Sequence, residues 1–184
     1  MLAIRDKIPT LIAIPEIRSQ GSILYHPKHT SMTQKEAIKA VKDILSHTFD
    51  SHGEGIMVTA NSEGIPHATW MGTLGNRSVS NILTMTSPDS TKVKNILENP
   101  HVEWMFNDER LHAIVYLRGK ARVIHEEGDV LEAWEKLKDK SRAYFLNFIQ
   151  ETGMTFLIIE TQIEEIDYTC PKENLFKKIR PPFH

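Results

Sequence analysis

Leu111-His-Ala-Ile-Val-Tyr-Leu-Arg-Gly-Lys-Ala-Arg-Val-Ile124 is the stretch whose reading decides the fold. In an extended chain, Ala113, Val115, Leu117, Ala121 and Val123 fall on one side. His112, Tyr116, Arg118, Lys120 and Arg122 fall on the other. Alternation with a period of two marks a strand that buries one face and wets the other. Residues 111–124 are long for a strand, and Gly119 supplies the bend or bulge that lets it curl. A long, curled, antiparallel strand suits a barrel better than a flat sheet.

Working back from this strand, Val102, Trp104 and Phe106 alternate with Glu103, Met105 and Asn107, and Asp108-Glu-Arg110 turns the chain. Residues 56–60, 65–74 and 79–86 read as three short strands, separated by turns at Asn61-Ser-Glu-Gly64 and Gly75-Asn-Arg77. Such close spacing predicts an antiparallel meander. Between residues 86 and 101 the period changes to that of a helix. Ser87 reads as its N-cap, Pro88 as its first position, and Val93, Ile96 and Leu97 as its buried face, with Asn99-Pro100 ending it. An earlier helix opens at Thr33-Gln-Lys-Glu36, a capping box, and places Ile38, Val41, Ile44 and Leu45 on one face as far as about His47.

Beyond residue 124, helices are predicted over 126–139 (Val130, Trp134, Leu137) and 143–151 (Phe145, Phe148, Ile149), then a strand over 155–167. The tail from Pro171 is expected to make one helical turn through Leu175, Phe176 and Ile179. Residues 1–30, broken by Pro9, Pro15, Gly21 and Pro27, read as an extended arm, and residues 31–184 as one domain. The order predicts a mainly β chain with peripheral helices.

The 184 residues are 40% hydrophobic and 25% charged, with a formal net charge of −2. Lys and Arg are dispersed, so no nucleic-acid partner is expected. No apolar run approaches the roughly 20 residues of a membrane span, and Asp6, Lys7, Pro9 and Pro15 make a poor signal-peptide core. Cys170 is the one cysteine, so neither an intrachain disulfide nor a cysteine metal cage is expected, and a reducing cytoplasm is the default location.

Motifs for catalysis are sparse. The nine histidines are scattered, His26-Pro-Lys-His29 lacks a third ligand, and His52-Gly-Glu54 is too thin for a metal site. Neither a dinucleotide fingerprint nor a phosphate-binding Walker loop is present. The adjacent carboxylates Glu126-Glu127 and Glu164-Glu165 read as solvated pairs. What remains is the turn after residue 85. Thr86, Ser87, Ser90 and Thr91 surround a helix start and Lys92 lies in its first turn, a combination suited to an anion. A plain capped helix would contain the same Ser87, Pro88 and Asp89.

Set in the wider pattern, that turn takes on a stronger meaning. Glu63-Gly-Ile-Pro-His67, Leu83-Thr-Met-Thr-Ser-Pro-Asp-Ser-Thr-Lys92, Val93-Lys-Asn-Ile-Leu-Glu-Asn-Pro100 and Arg118-Gly-Lys-Ala-Arg122 follow one another in order. Over roughly 110 residues this order resembles the pyridoxamine-5′-phosphate-oxidase-like superfamily of flavin mononucleotide (FMN)-binding split barrels, and its general-stress-protein branch in particular. The resemblance implies an antiparallel six-stranded split β-barrel, FMN as cofactor, and a homodimer with the flavin at the subunit interface. It places Thr69, Trp70, Met71 and Gly72 beside the flavin ring, and Thr86, Ser87, Ser90, Thr91 and Lys92 at its phosphate. Two basic residues common in the family stand here as Thr69 and Thr91, with Arg77 and Arg118 as candidate replacements. No match is found to the C-terminal substrate-binding segments of true pyridoxamine phosphate oxidases.

The resemblance thus implies an FMN-dependent oxidoreductase acting on a small molecule. The alternatives are a non-catalytic flavin or haem sensor on the same barrel, for which His67, His101 and His112 are axial candidates by residue type, and a structural dimer without ligand.

Overall fold

The computed structural model describes residues 32–50, 54–74, 79–108, 110–124 and 156–183, with a few scattered residues between 134 and 147. The first helix, α1 (Gln34–Asp50), begins as its capping box requires. Thr33 N donates to Glu36 Oε2 at 2.8 Å, and Glu36 N returns a bond to Thr33 Oγ1 at 3.3 Å. The bond from Thr33 N, with a second from Thr33 Oγ1 to Glu36 Oε2 at 2.8 Å, holds the Glu36 carboxyl below its ordinary pKa. Ala37, Ile38, Val41, Ile44 and Leu45 form the buried stripe that joins the core.

Strands β1 (Glu54–Ala60) and β2 (Pro66–Gly72) form the first hairpin. Its turn is closed by Asn61, whose Oδ1 accepts from Glu63 N and Ile65 N, and by Gly64 in the left-handed region at φ 81°. β3 (Asn81–Thr86), helix α2 (Thr91–Glu98), β4 (His101–Asn107) and β5 (Ile114–Ile124) follow. β6 (Leu157–Cys170) then returns across the molecule.

All pairings are antiparallel, and the strands run in the order β2-β1-β4-β5-β6-β3. The path does not close by a ladder. Its two ends, β2 and β3, meet through Leu74 N donating to Leu83 O at 2.9 Å and Thr84 Oγ1 donating to Gly72 O at 2.6 Å. The result is the split antiparallel barrel that the resemblance implies.

The core lies inside this curled sheet. Met57, Trp104, Phe106, Val115, Leu117, Ile159 and Ile166 are all but inaccessible to water. Trp104 and Phe106 stack with ring centroids 5.7 Å apart, and Trp104 Nε1 donates to Thr161 Oγ1 at 3.1 Å, so the indole keeps a hydrogen bond on burial. The long strand curls where expected, because the β5–β6 register shifts between Arg118 and Gly119. A Cβ at Gly119 would lie 1.9 Å from the Gln162 carbonyl oxygen, an approach only glycine permits.

Several expectations change. Leu97, expected on the buried face of α2, is 67% exposed, so the face is carried by Val93, Asn95 and Ile96. The tail makes its short helical turn earlier, as a 3₁₀ turn at Pro171–Glu173; Asn174, left-handed at φ 52°, then reverses the chain into a seventh strand, β7 (Leu175–Ile179), paired with β6. β6 supplies a ladder for these residues that local periodicity does not reveal. The strand predicted over 111–124 starts at Ile114, because Asp108 Oδ1 gathers His112 N and Ala113 N into a turn. Glu165 is not simply solvated, as described below. The expected arm at residues 1–30 lies outside the described residues, as do most of the helices predicted over 126–139 and 143–151. Among the described residues, no helix is long and apolar enough to cross a membrane.

Candidate functional site at the start of helix α2

The helix begins later than its sequence suggests. Ser87 is not the N-cap; it opens a turn in which Ser90 N donates to Ser87 O at 3.2 Å, with Pro88 at the turn's second position. Ser90, with extended backbone, is the N-cap of α2, and its carbonyl receives Val93 N and Lys94 N. Its side chain makes no capping bond. The N–H groups of Thr91 and Lys92, in the first turn, have no acceptor within the helix and face the positive end of its dipole.

The side chain of Ser90 is used elsewhere. Lys92 Nζ donates to Thr86 Oγ1 at 3.1 Å, and Thr86 Oγ1 donates to Ser90 Oγ at 3.3 Å. Thr86 and Lys92 are both buried, so an ammonium group is held in the protein with a neutral hydroxyl as its partner. Among the described residues no carboxylate pairs with it. Burial alone pushes the Lys92 pKa below its ordinary value. The three side chains form a line of donors ending at Ser90, beside two helix N–H groups. Ser87 and Thr91 are exposed and are not brought into this hydrogen-bonded line.

α2 is fixed against the barrel by a residue that sequence reading passed over. Asn95, on the buried face between Val93 and Ile96, donates from Nδ2 to Thr59 Oγ1 at 3.0 Å. A polar amide on an apolar helix face was the available signal. Glu98 Oε2 accepts from Ser62 N and Ser62 Oγ, tying the tip of the β1–β2 hairpin to the end of α2. Together with the Thr84–Gly72 bond, this ties the β1–β2 hairpin to the end of α2 at one end of β2 and to β3 at the other.

The four ring-side positions divide between the faces of β2. Met71, opposite Gly55, is buried, and Thr69, opposite Met57, is half-buried, with its Oγ1 shielded from water and without a hydrogen-bond partner among the described residues. Trp70 and Gly72 lie on the outer face; Trp70 is 66% exposed, and no described residue lies within 4 Å of a Cβ built on Gly72. Among the described residues, Thr69 therefore offers an unsatisfied hydroxyl on the inner side of β2, while Gly72 leaves its outer side open.

Arg118 does not serve this site. It is bound to Glu103, Glu165 and Asp167 on the outside of the barrel, with Nε to Glu103 at 2.5 Å and Nη1 to Glu165 at 3.0 Å. Glu165 also receives Lys178 and Arg180. Lys178 foremost, with Arg180 and Arg118, holds the Glu165 carboxyl down at about 2. Arg77 lies outside the described residues. His67 and His101 are exposed, and His112 Nε2 lies 2.8 Å from Lys172 Nζ. Among the described residues, no group of three or more His, Cys, Asp or Glu converges as a metal site.

The family model for pyridoxamine 5′-phosphate oxidase matches residues 39–170, most of the chain, and the chain belongs to that family. No curated protein sequence matches it. Among solved structures it is similar to a Clostridium acetobutylicum protein related to general stress protein 26 of B. subtilis. That likeness has a TM-score of 0.60 and 16% identity, over 82% of this chain and 97% of the other. General stress protein 26 from Bacillus anthracis is similar at TM-score 0.53 and 16% identity, over 76% and 98% of the two chains. A heme binding protein from Mycobacterium smegmatis is similar at TM-score 0.59 and 15% identity, over 81% and 58%. At these identities the likenesses establish the shared fold.

Proposed function

We propose that this member of the pyridoxamine 5′-phosphate oxidase family binds flavin mononucleotide, with the phosphate at Thr86, Ser90 and Lys92 and the ring along β2. The observation that carries the reading is the buried Lys92 ammonium, hydrogen-bonded to a neutral hydroxyl at a helix start. A buried cation without a carboxylate is costly by itself, and a dianionic phosphate would offset that cost. The unsatisfied Thr69 hydroxyl fits a polar ligand along β2. With threonines at 69 and 91 and Arg118 committed elsewhere, the phosphate relies on Lys92, two helix N–H groups and Ser90.

When bound, the flavin supplies electron transfer; the protein's part is to bind, orient and shield it. Lys92 neutralises part of the phosphate charge, Ser90 and the helix N–H groups fix its direction, and Met71 closes the inner side of the strand. We read the protein as an FMN-dependent oxidoreductase for a small molecule, acting as a homodimer with the flavin between the copies. No side chain is assigned as general acid or base. Pyridoxamine phosphate oxidase activity is not proposed, since the C-terminal cations Lys178 and Arg180 are engaged by Glu165.

The visible absorption spectrum of freshly purified protein, followed by identification of what denaturation releases, tests the reading. A flavin spectrum and released FMN are expected. Failure to take up added FMN, with no other cofactor bound, would reject it. The competing haem reading, suggested by the likeness to the mycobacterial heme binding protein, predicts a Soret band and loss of that band when its axial histidine is replaced.

A further inference from the structure

The β5–β6 ladder pairs Ile114 with Thr169, so the turn that enters β5 and the turn that leaves β6 lie side by side at one end of the barrel. Both turns are tight. Leu111 N donates to Asp108 O at 3.1 Å, and Asn174 N donates to Pro171 O at 3.1 Å. Among the described residues, the two non-glycine residues with positive φ fall one in each turn, Leu111 at 55° and Asn174 at 52°. Asparagine tolerates that conformation. Leucine adopts it at a cost, and such costs gather where a neighbouring side chain must be aimed. Leu111 directly precedes His112.

The two turns meet through their side chains. His112 Nε2 lies 2.8 Å from Lys172 Nζ. An ammonium group only donates, so Nε2 is the acceptor and the ring proton sits on Nδ1. Nδ1 in turn faces Asp108 Oδ2 at 3.9 Å. The other oxygen, Asp108 Oδ1, accepts from His112 N at 2.6 Å and Ala113 N at 3.2 Å, which holds the carboxylate beside the imidazole. A nucleophile within hydrogen-bond reach of a base, with that base oriented by a third group, is the arrangement that activates a nucleophile. Residues 108, 112 and 172 are too far apart in sequence to reveal it. Solvent reaches the pair, since the His112 side chain is 40% exposed and Lys172 is exposed.

We propose that Lys172 is an acylation site for small activated acyl donors, acyl phosphates or acyl thioesters, with His112 as general base and Asp108 positioning the imidazole. The ammonium first loses a proton to water. Nζ then attacks the carbonyl carbon of the donor and the C–N bond forms. The C–O bond to phosphate, or the C–S bond to thiolate, breaks, and the leaving group keeps the electron pair. The extra N–H proton passes to His112 Nε2 and from there to solvent. The product is an amide, so the outcome is a lasting modification that removes one positive charge from the turn between β6 and β7. Neither Lys172 nor His112 takes part in the grip at Thr86, Ser90 and Lys92, so acylation does not depend on flavin binding.

The test is site-resolved mass spectrometry of the full chain after incubation with acetyl phosphate and, separately, with acetyl coenzyme A. The exposed lysines Lys39 and Lys94 serve as internal references. Lys172 should be labelled about tenfold or more faster than the references by at least one donor, and the faster arm identifies the donor class. His112→Gln can still accept a hydrogen bond from Lys172 but cannot take up its proton. That variant should bring Lys172 down to the rate of the references while Lys39 and Lys94 stay unchanged. Asp108→Asn should slow Lys172 by a smaller factor. His112→Gly should regain the rate when imidazole is added, a rescue that a merely structural histidine would not show. Circular dichroism and thermal melting check that each variant folds, and if His112→Gly does not, the His112→Gln comparison decides. The proposal is overturned if neither donor labels Lys172 faster than Lys39 and Lys94, or if folded His112→Gln is labelled as fast as the wild type. Absence of imidazole rescue in folded His112→Gly would equally remove His112 as the base, and wild-type labelling of Asp108→Asn would remove the positioning role of Asp108.

Discussion

Replacing Lys92 with methionine should weaken FMN binding without weakening the fold. The ammonium is buried, bonds to Thr86 Oγ1 at 3.1 Å and has a pKa lowered by burial. The sign follows from linkage. A lysine whose pKa is lower in the folded protein than in the unfolded chain destabilises the fold at neutral pH, and the penalty is relieved as pH rises through the lowered value toward the ordinary one. Methionine follows a similar path without the charge, so the ligand-free variant should unfold at equal or higher urea concentration. Its affinity should fall. A charge-assisted hydrogen bond contributes about 1.5–3 kcal/mol, and 1.4 kcal/mol is a factor of ten, so the dissociation constant should rise by roughly ten- to a hundredfold or slightly more. Flavin fluorescence titration gives the affinity, and urea unfolding without flavin gives the stability. Wild-type affinity should also decline as pH rises and Lys92 loses its proton, whereas the variant should lack that component. Unchanged affinity together with a large loss of stability would show that Lys92 is a structural residue and defeat the argument.

Other perturbations follow from the same geometry. Gly119→Ala forces a methyl group to within 1.9 Å of the Gln162 carbonyl oxygen and should cost about 3 kcal/mol or more, read as a lower thermal midpoint; a near-neutral result would mean that the bulge can relax. Thr69→Arg restores a cation common in the family and should tighten FMN binding by about tenfold or more if the guanidinium reaches the phosphate; unchanged or weaker binding would place residue 69 out of reach. Glu165, held at about 2 by Lys178, Arg180 and Arg118, contributes stability that is present above the ordinary glutamate range and lost as pH falls toward 2. Glu165→Gln should therefore flatten acid unfolding in that window, and an unaltered acid profile would show that the cluster contributes nothing there.

Much of the fold was legible because its signals are local. The capping box at Thr33 needs only residues three apart, and the faces of β4 and β5 can be read from alternation alone. Gly119 announced its bulge through the absence of a side chain. The errors arose where distant partners chose between two local possibilities. Ser87 and Ser90 are equally good caps by residue type; the turn through Pro88 and the bond from Thr86 selected Ser90. Leu175–Ile179 is too short to declare its period, and β6 makes it a strand. Glu165 looks solvated beside Glu164, yet its three cations come from Arg118 on β5 and from the chain's end. At the candidate site, the sequence names several hydroxyls and one lysine around a helix start. Which hydroxyls converge, and that Lys92 is buried, depended on how α2 seats against Thr59 through Asn95.

The pairing of β3 with β6 has a kinetic consequence. β1 and β2 are joined by a tight turn and β4 and β5 by a short one, whereas β3 must find a partner as far along the chain as Leu157–Gln162. Closing so long a loop is entropically slower than forming hairpins, so β3 should lock into place late in folding. Thr86 ends that strand, and Ser90 and Lys92 follow directly, so the phosphate grip should be assembled after most of the sheet exists. A ligand held by late-forming contacts stabilises the native state but not the transition state that precedes them. FMN should therefore slow unfolding while leaving the refolding rate nearly unchanged, a pattern that stopped-flow measurements with and without flavin can verify or refute.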